Sequence, residues 1–124
     1  MCKDNKPHIF ENGLEEVMQK TNGVNLSFTT DIHEALNEAS VIFLALPTPT
    51  KTFGFNKNKA YDLSYTEIAI RQIIKYYNER PMRENVIIVE KSTVPIGTAQ
   101  MISKIVREMA VKESVCRYII TSNP

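Results

Sequence analysis

Twice in this chain a nearly unbroken apolar run stops abruptly at prolines and hydroxyls. Val41-Ile42-Phe43-Leu44-Ala45-Leu46 gives way to Pro47-Thr48-Pro49-Thr50-Lys51, and Val86-Ile87-Ile88-Val89 gives way to Glu90-Lys91-Ser92-Thr93-Val94-Pro95. A short run rich in β-branched side chains, with no polar alternation, is the pattern of a strand covered on both faces. A helical pattern follows each loop, and strand, polar loop and helix repeated in this way build a parallel α/β sheet. Ligands of open α/β sheets sit beyond the carboxyl ends of the strands, so the pattern also points to where a site would lie.

Four strands are predicted, at residues 26–29, 41–46, 86–89 and 118–120, alternating with helices. A short first helix carries Leu14, Val17 and Met18 on one edge and stops at Gly23. Thr30 or Asp31 can cap a second helix running to about Ala39, with Ile32, Ala35, Leu36 and Ala39 on one face. A third begins at Asp62 or Ser64, with Ser64 and Glu67 in capping-box spacing and Ile70, Ile73, Ile74 and Tyr77 as its apolar stripe, and Pro81 ends the connection after it. The fourth, residues 96–109, turns Ile102, Ile105, Val106 and Met109 to the sheet. The expected architecture is an α/β fold, an incomplete Rossmann-like parallel sheet of about four strands alternating with helices, with residues 1–124 as one domain and no second. The long loop over residues 47–62 is the exception, and compact domains keep such loops for function or leave them mobile.

Fifteen Lys plus Arg against fourteen Asp plus Glu leave a formal charge of +1, without the basic stripe that displaces counterions from a nucleic acid. No stretch approaches the roughly 20 apolar residues that span a bilayer, and the start Met1-Cys2-Lys3-Asp4-Asn5-Lys6-Pro7 lacks a signal peptide's apolar centre. The expectation is a cytoplasmic protein that engages neither nucleic acid nor membrane. Cys2, Cys116, His8 and His33 have no metal-ligand spacing, so no metal site is expected; Cys116, just before Tyr118-Ile119-Ile120, reads as a small core or strand-end residue.

The chemistry would lie in the two loops. Pro47 and Pro49 stiffen the backbone around Thr48 and Thr50, which can cradle a flat or sugar-like ligand or can simply make a rigid turn. Ser92 and Thr93 stand where a strand ends and a helix begins, with Pro95 suited to a first helical turn; either hydroxyl can cap that helix, and capping does not exclude a ligand. Lys51 and Lys91, and the set Lys51, Lys57 and Lys59, read as solvated charge before they read as a phosphate site.

Taken together, Phe43-Leu44-Ala45-Leu46-Pro47-Thr48-Pro49-Thr50-Lys51-Thr52-Phe53-Gly54, Ala60-Tyr61-Asp62-Leu63-Ser64-Tyr65, Glu90-Lys91-Ser92-Thr93-Val94-Pro95 and Ser122-Asn123-Pro124 closely resemble the amino-terminal domain of the UDP-glucose 6-dehydrogenase family, in its eukaryotic type. Ile9-Phe10-Glu11-Asn12-Gly13-Leu14 resembles that family as well, so the likeness runs from His8 onward. The resemblance implies an oxidoreductase that oxidises the C6 hydroxymethyl of UDP-glucose to the carboxylate of UDP-glucuronate in two steps, each passing one hydride to an NAD, in a homo-oligomer. It implies that Leu46, Pro47, Thr48, Pro49 and Thr50 line the NAD, with Ser92, Thr93 and Val94 near its nicotinamide end. Thr93 matches the family's catalytic threonine, which helps order a water beside the reacting carbon; a threonine hydroxyl positions by hydrogen bonds and is no base at neutral pH. Pro47 departs from the family's usual asparagine, removing an amide side chain and a backbone N–H.

A dinucleotide fold also needs a strand running into GxGxxG, and the four glycines here, Gly13, Gly23, Gly54 and Gly97, do not have that spacing. The family's catalytic cysteine and lysine lie beyond the matched segment. The expected identity is therefore a fragment or truncated relative carrying part of an NAD site and inactive alone. Two rivals are a non-catalytic interaction protein of the same ancestry and a flavodoxin-like binding module. A parallel sheet lacking its central strands would leave residues 41–46 as an apolar edge open to self-association.

Overall fold

The computed structural model describes residues 7–51, 61–80, 85–111 and 117–123. Cys116, Lys57, Lys59, Pro81 and the middle of the 47–62 loop lie outside the described residues. The chain falls into two compact units, residues 1–35 and 36–124.

The first unit holds α1 (Leu14–Thr21) and most of α2 (Ile32–Leu36). Met18 is buried on α1, but Val17 is 56% exposed, so the apolar edge is narrower than its sequence suggests. The strand expected at residues 26–29 does not join the sheet. The Thr21 carbonyl accepts the amides of Val24, Asn25 and Leu26 at 3.0, 3.1 and 3.0 Å, and Gly23 N–H donates to Leu26 O at 2.9 Å. Local turn bonds thus take the backbone groups that a ladder would use at its start, leaving only an isolated parallel bridge between Asn22 and Leu26. Asp31 caps α2, its carboxylate accepting from His33 N–H at 2.8 Å.

The second unit is built on a three-stranded parallel sheet in the order β1 (Val41–Leu44), β2 (Asn85–Glu90), β3 (Arg117–Ser122), with α3 (Ser64–Asn78) and α4 (Thr98–Met109) as the crossovers. Register pairs Ile42 with Ile88, Leu44 with Glu90, Val86 with Tyr118 and Glu90 with Ser122. Paired residues of parallel strands share a face, and Tyr77 of α3 meets the Tyr118 ring at 6.5 Å, so the face of Val86, Ile88 and Glu90 is the one the helices cover. Ile70, Ile74, Tyr77, Val86, Ile88 and Ile102 are at most 1% exposed and form the core. The stripes expected on both helices are present, except that Met109 is only half-buried.

Only β2 is buried on both faces. On the opposite face Val41, Phe43 and Ile119 are 47%, 60% and 42% exposed, so β1 is an edge strand, as expected of a sheet lacking its central strands, but with one face open where its apolar run suggested cover on both. The second helix ends three residues earlier than expected, at Leu36 rather than Ala39. There Ala39 N–H closes a tighter turn onto Leu36 O at 3.3 Å, and the Tyr77 hydroxyl lies 3.0 and 2.9 Å from the Leu36 and Ala39 carbonyls.

Candidate functional site

Because all three strands run parallel, Leu44, Glu90 and Ser122 end at the same rim of the sheet. The ladder continues slightly past the strands: Lys91 N–H donates to Leu44 O at 3.0 Å and Asn123 N–H to Glu90 O at 2.9 Å. Loop 46–50 therefore leaves β1 beside the point where loop 92–94 leaves β2.

Ser92 joins the two. Its hydroxyl accepts from Leu46 N–H at 2.8 Å and lies 2.8 Å from Leu46 O and 3.2 Å from Leu44 O, to one of which it donates. Farther out, the Thr48 hydroxyl donates to Thr93 O at 3.3 Å. Neither Ser92 nor Thr93 caps the following helix, contrary to expectation. That helix starts at Thr98 instead of Ile96, after Gly97 at φ 97°, and the preceding turn is closed by the Thr98 amide and hydroxyl donating to Pro95 O at 3.2 and 2.8 Å.

The outer side of loop 46–50 is tied to the start of α3. Asp62 N–H donates to Pro49 O at 2.7 Å, and Thr50 and Tyr61 form an antiparallel bridge. The Asp62 carboxylate accepts from Ser64 N–H at 2.9 Å. That bond and then the Ser64 hydroxyl, with a lesser contribution from the Lys51 charge, hold the Asp62 carboxyl below the usual aspartate range against the opposing effect of burial. The expected capping box does not form, because Glu67 pairs instead with Arg71 at 2.8 Å.

The site residues divide by what they leave free. Leu46, Thr48, Ser92 and Val94 are half-buried, while Pro47, Pro49, Thr50 and Thr93 are exposed. The Ser92 hydroxyl is used up in the loop joint and that of Thr48 in its bond to Thr93. Thr50 and Thr93 are exposed, and their hydroxyls have no partner among the described residues. Among the described residues no three His, Cys, Asp or Glu gather as metal ligands, and no helix is long and apolar enough to cross a membrane.

One participant was not singled out from the sequence. Glu90 is 1% exposed, and its Oε1 accepts from Ser92 N–H at 3.0 Å. Its signal was its place two residues after Ile88 on a wholly buried face, hidden by the neighbouring Lys91, which makes the pair look like solvated charge.

Comparison with known proteins places this chain in a family. Residues 1–124 match the family model for the UDP-glucose/GDP-mannose dehydrogenase family, NAD binding domain. The chain belongs to that family. UDP-glucose 6-dehydrogenase of Drosophila melanogaster is 46% identical over 116 residues, 94% of this chain and 23% of that protein. Among solved structures, a UDP-glucose dehydrogenase from Pyrobaculum islandicum superposes with a TM-score of 0.76 at 31% identity, over 97% of this chain and 26% of that one. The ternary complex of GDP-mannose dehydrogenase from Pseudomonas aeruginosa gives the same TM-score at 30% identity, again over 97% of this chain and 26% of that one. The UDP-glucose/GDP-mannose dehydrogenase relationship thus accounts for the parallel α/β order, while the chain spans about a quarter of the length of these relatives.

Proposed function

We propose that residues 1–124 supply part of the NAD-binding domain of a UDP-glucose 6-dehydrogenase, and that loops 46–50 and 92–94 are the cofactor-facing surface. The observation that carries this is the Ser92 joint, which holds two loops from adjacent parallel strands side by side at the rim where α/β sheets take their ligands. The residues present fit one end of a dinucleotide: a stiff proline-bounded backbone, with the hydroxyls of the exposed Thr50 and Thr93. The pyrophosphate would need a glycine-rich strand-to-helix turn, a spacing that this sequence does not contain. When bound, NAD supplies the hydride acceptor. Leu46, Pro47, Thr48, Pro49 and Thr50 would border it, Ser92, Thr93 and Val94 would lie near its nicotinamide end, and Thr93 would orient a water by hydrogen bonding.

In the whole dehydrogenase the substrate is UDP-glucose, and a cytoplasmic homo-oligomer belongs to the same reading. Titration of the 124-residue polypeptide with NAD, followed by amide chemical shifts, tests the surface: shifts confined to the two loops support it, and shifts elsewhere do not.

A second reading, self-association, is favoured by one observation. The β1 edge carries Val41, Ile42, Phe43 and Leu44 without a charge, and Phe43 is 60% exposed. Sedimentation of the polypeptide at rising concentration should show dimers or larger species; a concentration-independent monomer would refute it.

A further inference from the structure

Glu90 is chemically out of place. It sits at the end of the central strand, 1% exposed, on the face occupied upstream by Val86 and Ile88, and among the described residues no lysine or arginine pairs with it. Burying a carboxylate without a counter-charge is unfavourable, and a leucine there would make a more stable core. Its Oε2 is buried with no hydrogen-bond partner, leaving Ser92 N–H, 3.0 Å from Oε1, as the described group that orients it.

That single bond has a geometric effect. Ser92 N–H has a second acceptor within reach, Leu44 O at 3.3 Å, which already takes Lys91 N–H at 3.0 Å. Successive amides of a parallel strand point to opposite neighbours, so with Lys91 N–H directed to β1 a regular continuation would turn Ser92 N–H toward β3. Instead the amide is shared between Glu90 Oε1 at 3.0 Å and Leu44 O at 3.3 Å, and the chain bends at Ser92 so that its hydroxyl meets the Leu46 N–H and O, each at 2.8 Å.

We propose that Glu90 is a positioning residue of this site: through the Ser92 N–H it bends loop 92–94 away from the ladder and sets it against loop 46–50, so that a nucleotide meets both loops in one register. The nucleotide clause rests on the cofactor reading above; the loop geometry does not.

The test uses the 124-residue chain and the variants Glu90→Gln, which keeps an acceptor for Ser92 N–H, and Glu90→Leu, which does not. In the leucine variant amide protection at Leu46 should fall about tenfold while the melting temperature holds or rises, a split that a merely structural role would not give. Glutamine should restore protection to within about threefold of wild type. Unchanged Leu46 protection in the leucine variant, or a glutamine variant as impaired as leucine, would overturn the proposal. In the wild-type chain, a through-hydrogen-bond coupling from the Ser92 nitrogen to the Glu90 carboxyl carbon supports it without any substitution, and coupling only to the Leu44 carbonyl carbon overturns it. NAD is the probe for the ligand clause. Protection that follows Glu90 while NAD leaves the loops unshifted would refute the cofactor reading and keep the loop geometry.

Discussion

Replacing Ser92 by alanine removes the joint between the two loops while leaving both strands intact. The hydroxyl's acceptor role for Leu46 N–H at 2.8 Å is lost, together with one donated bond, to Leu46 O at 2.8 Å or Leu44 O at 3.2 Å. Two neutral hydrogen bonds contribute about 0.5–1.5 kcal/mol each, and because the site is half-buried water can replace part of that, so the expected destabilisation is about 1–2 kcal/mol. Urea unfolding should show a lower midpoint with an unchanged m-value, and thermal unfolding a drop on the order of 5 °C. Amide exchange is the more local readout. The Leu46 N–H loses its acceptor outright and should exchange roughly 5- to 30-fold faster, while Ile88 at the centre of β2 shifts only with global stability. A loss below about 0.5 kcal/mol with Leu46 protection intact would show that the hydroxyl does not hold the loops together.

Thr93 should behave oppositely, since it is exposed and its hydroxyl has no described partner. Thr93→Ala should change the stability of this chain by less than about 0.5 kcal/mol, yet lower turnover on the order of a hundredfold in a complete dehydrogenase carrying this segment; equal losses in both would leave it a structural role. For Asp62, whose carboxyl is held low by Ser64, the stabilisation of the start of α3 is present above the unfolded aspartate pKa and is lost as pH falls through the lower folded value. Protection of Ser64 and Glu67 should therefore decline in acid and be insensitive to pH in Asp62→Ala; a parallel decline in that variant would assign the effect elsewhere. The 124-residue polypeptide should produce no NADH from UDP-glucose and NAD, because its sequence holds no glycine-rich pyrophosphate turn; turnover above background would contradict this.

Much of this was readable from residue order because the strong signals agree with one another. The stripe of Ile70, Ile73, Ile74 and Tyr77 has one period and one destination, and the two apolar runs with their loops could only be adjacent parallel strands. What was illegible depended on competition between acceptors. Whether Ser92 caps a helix or bridges to Leu46 is decided by the turn at Pro95 and Gly97 and by the buried Glu90, none of which a local pattern ranks. Residues 26–29 carry a strand-like composition but follow a helix end whose Thr21 carbonyl collects the amides of Val24, Asn25 and Leu26. The exposure of Phe43 likewise depends on what covers the second face of the sheet, which the apolar run itself does not encode.

The most direct measurement is an NAD titration of the isotopically labelled chain, reading every amide at once. The account predicts millimolar-range binding, with shifts concentrated at Leu46, Thr48, Thr50, Ser92, Thr93 and Val94 and weakened in Ser92→Ala. Shifts centred on the far helix ends around Arg71, Lys75 and Met109, or none at the two loops at the highest soluble NAD concentration, would contradict it.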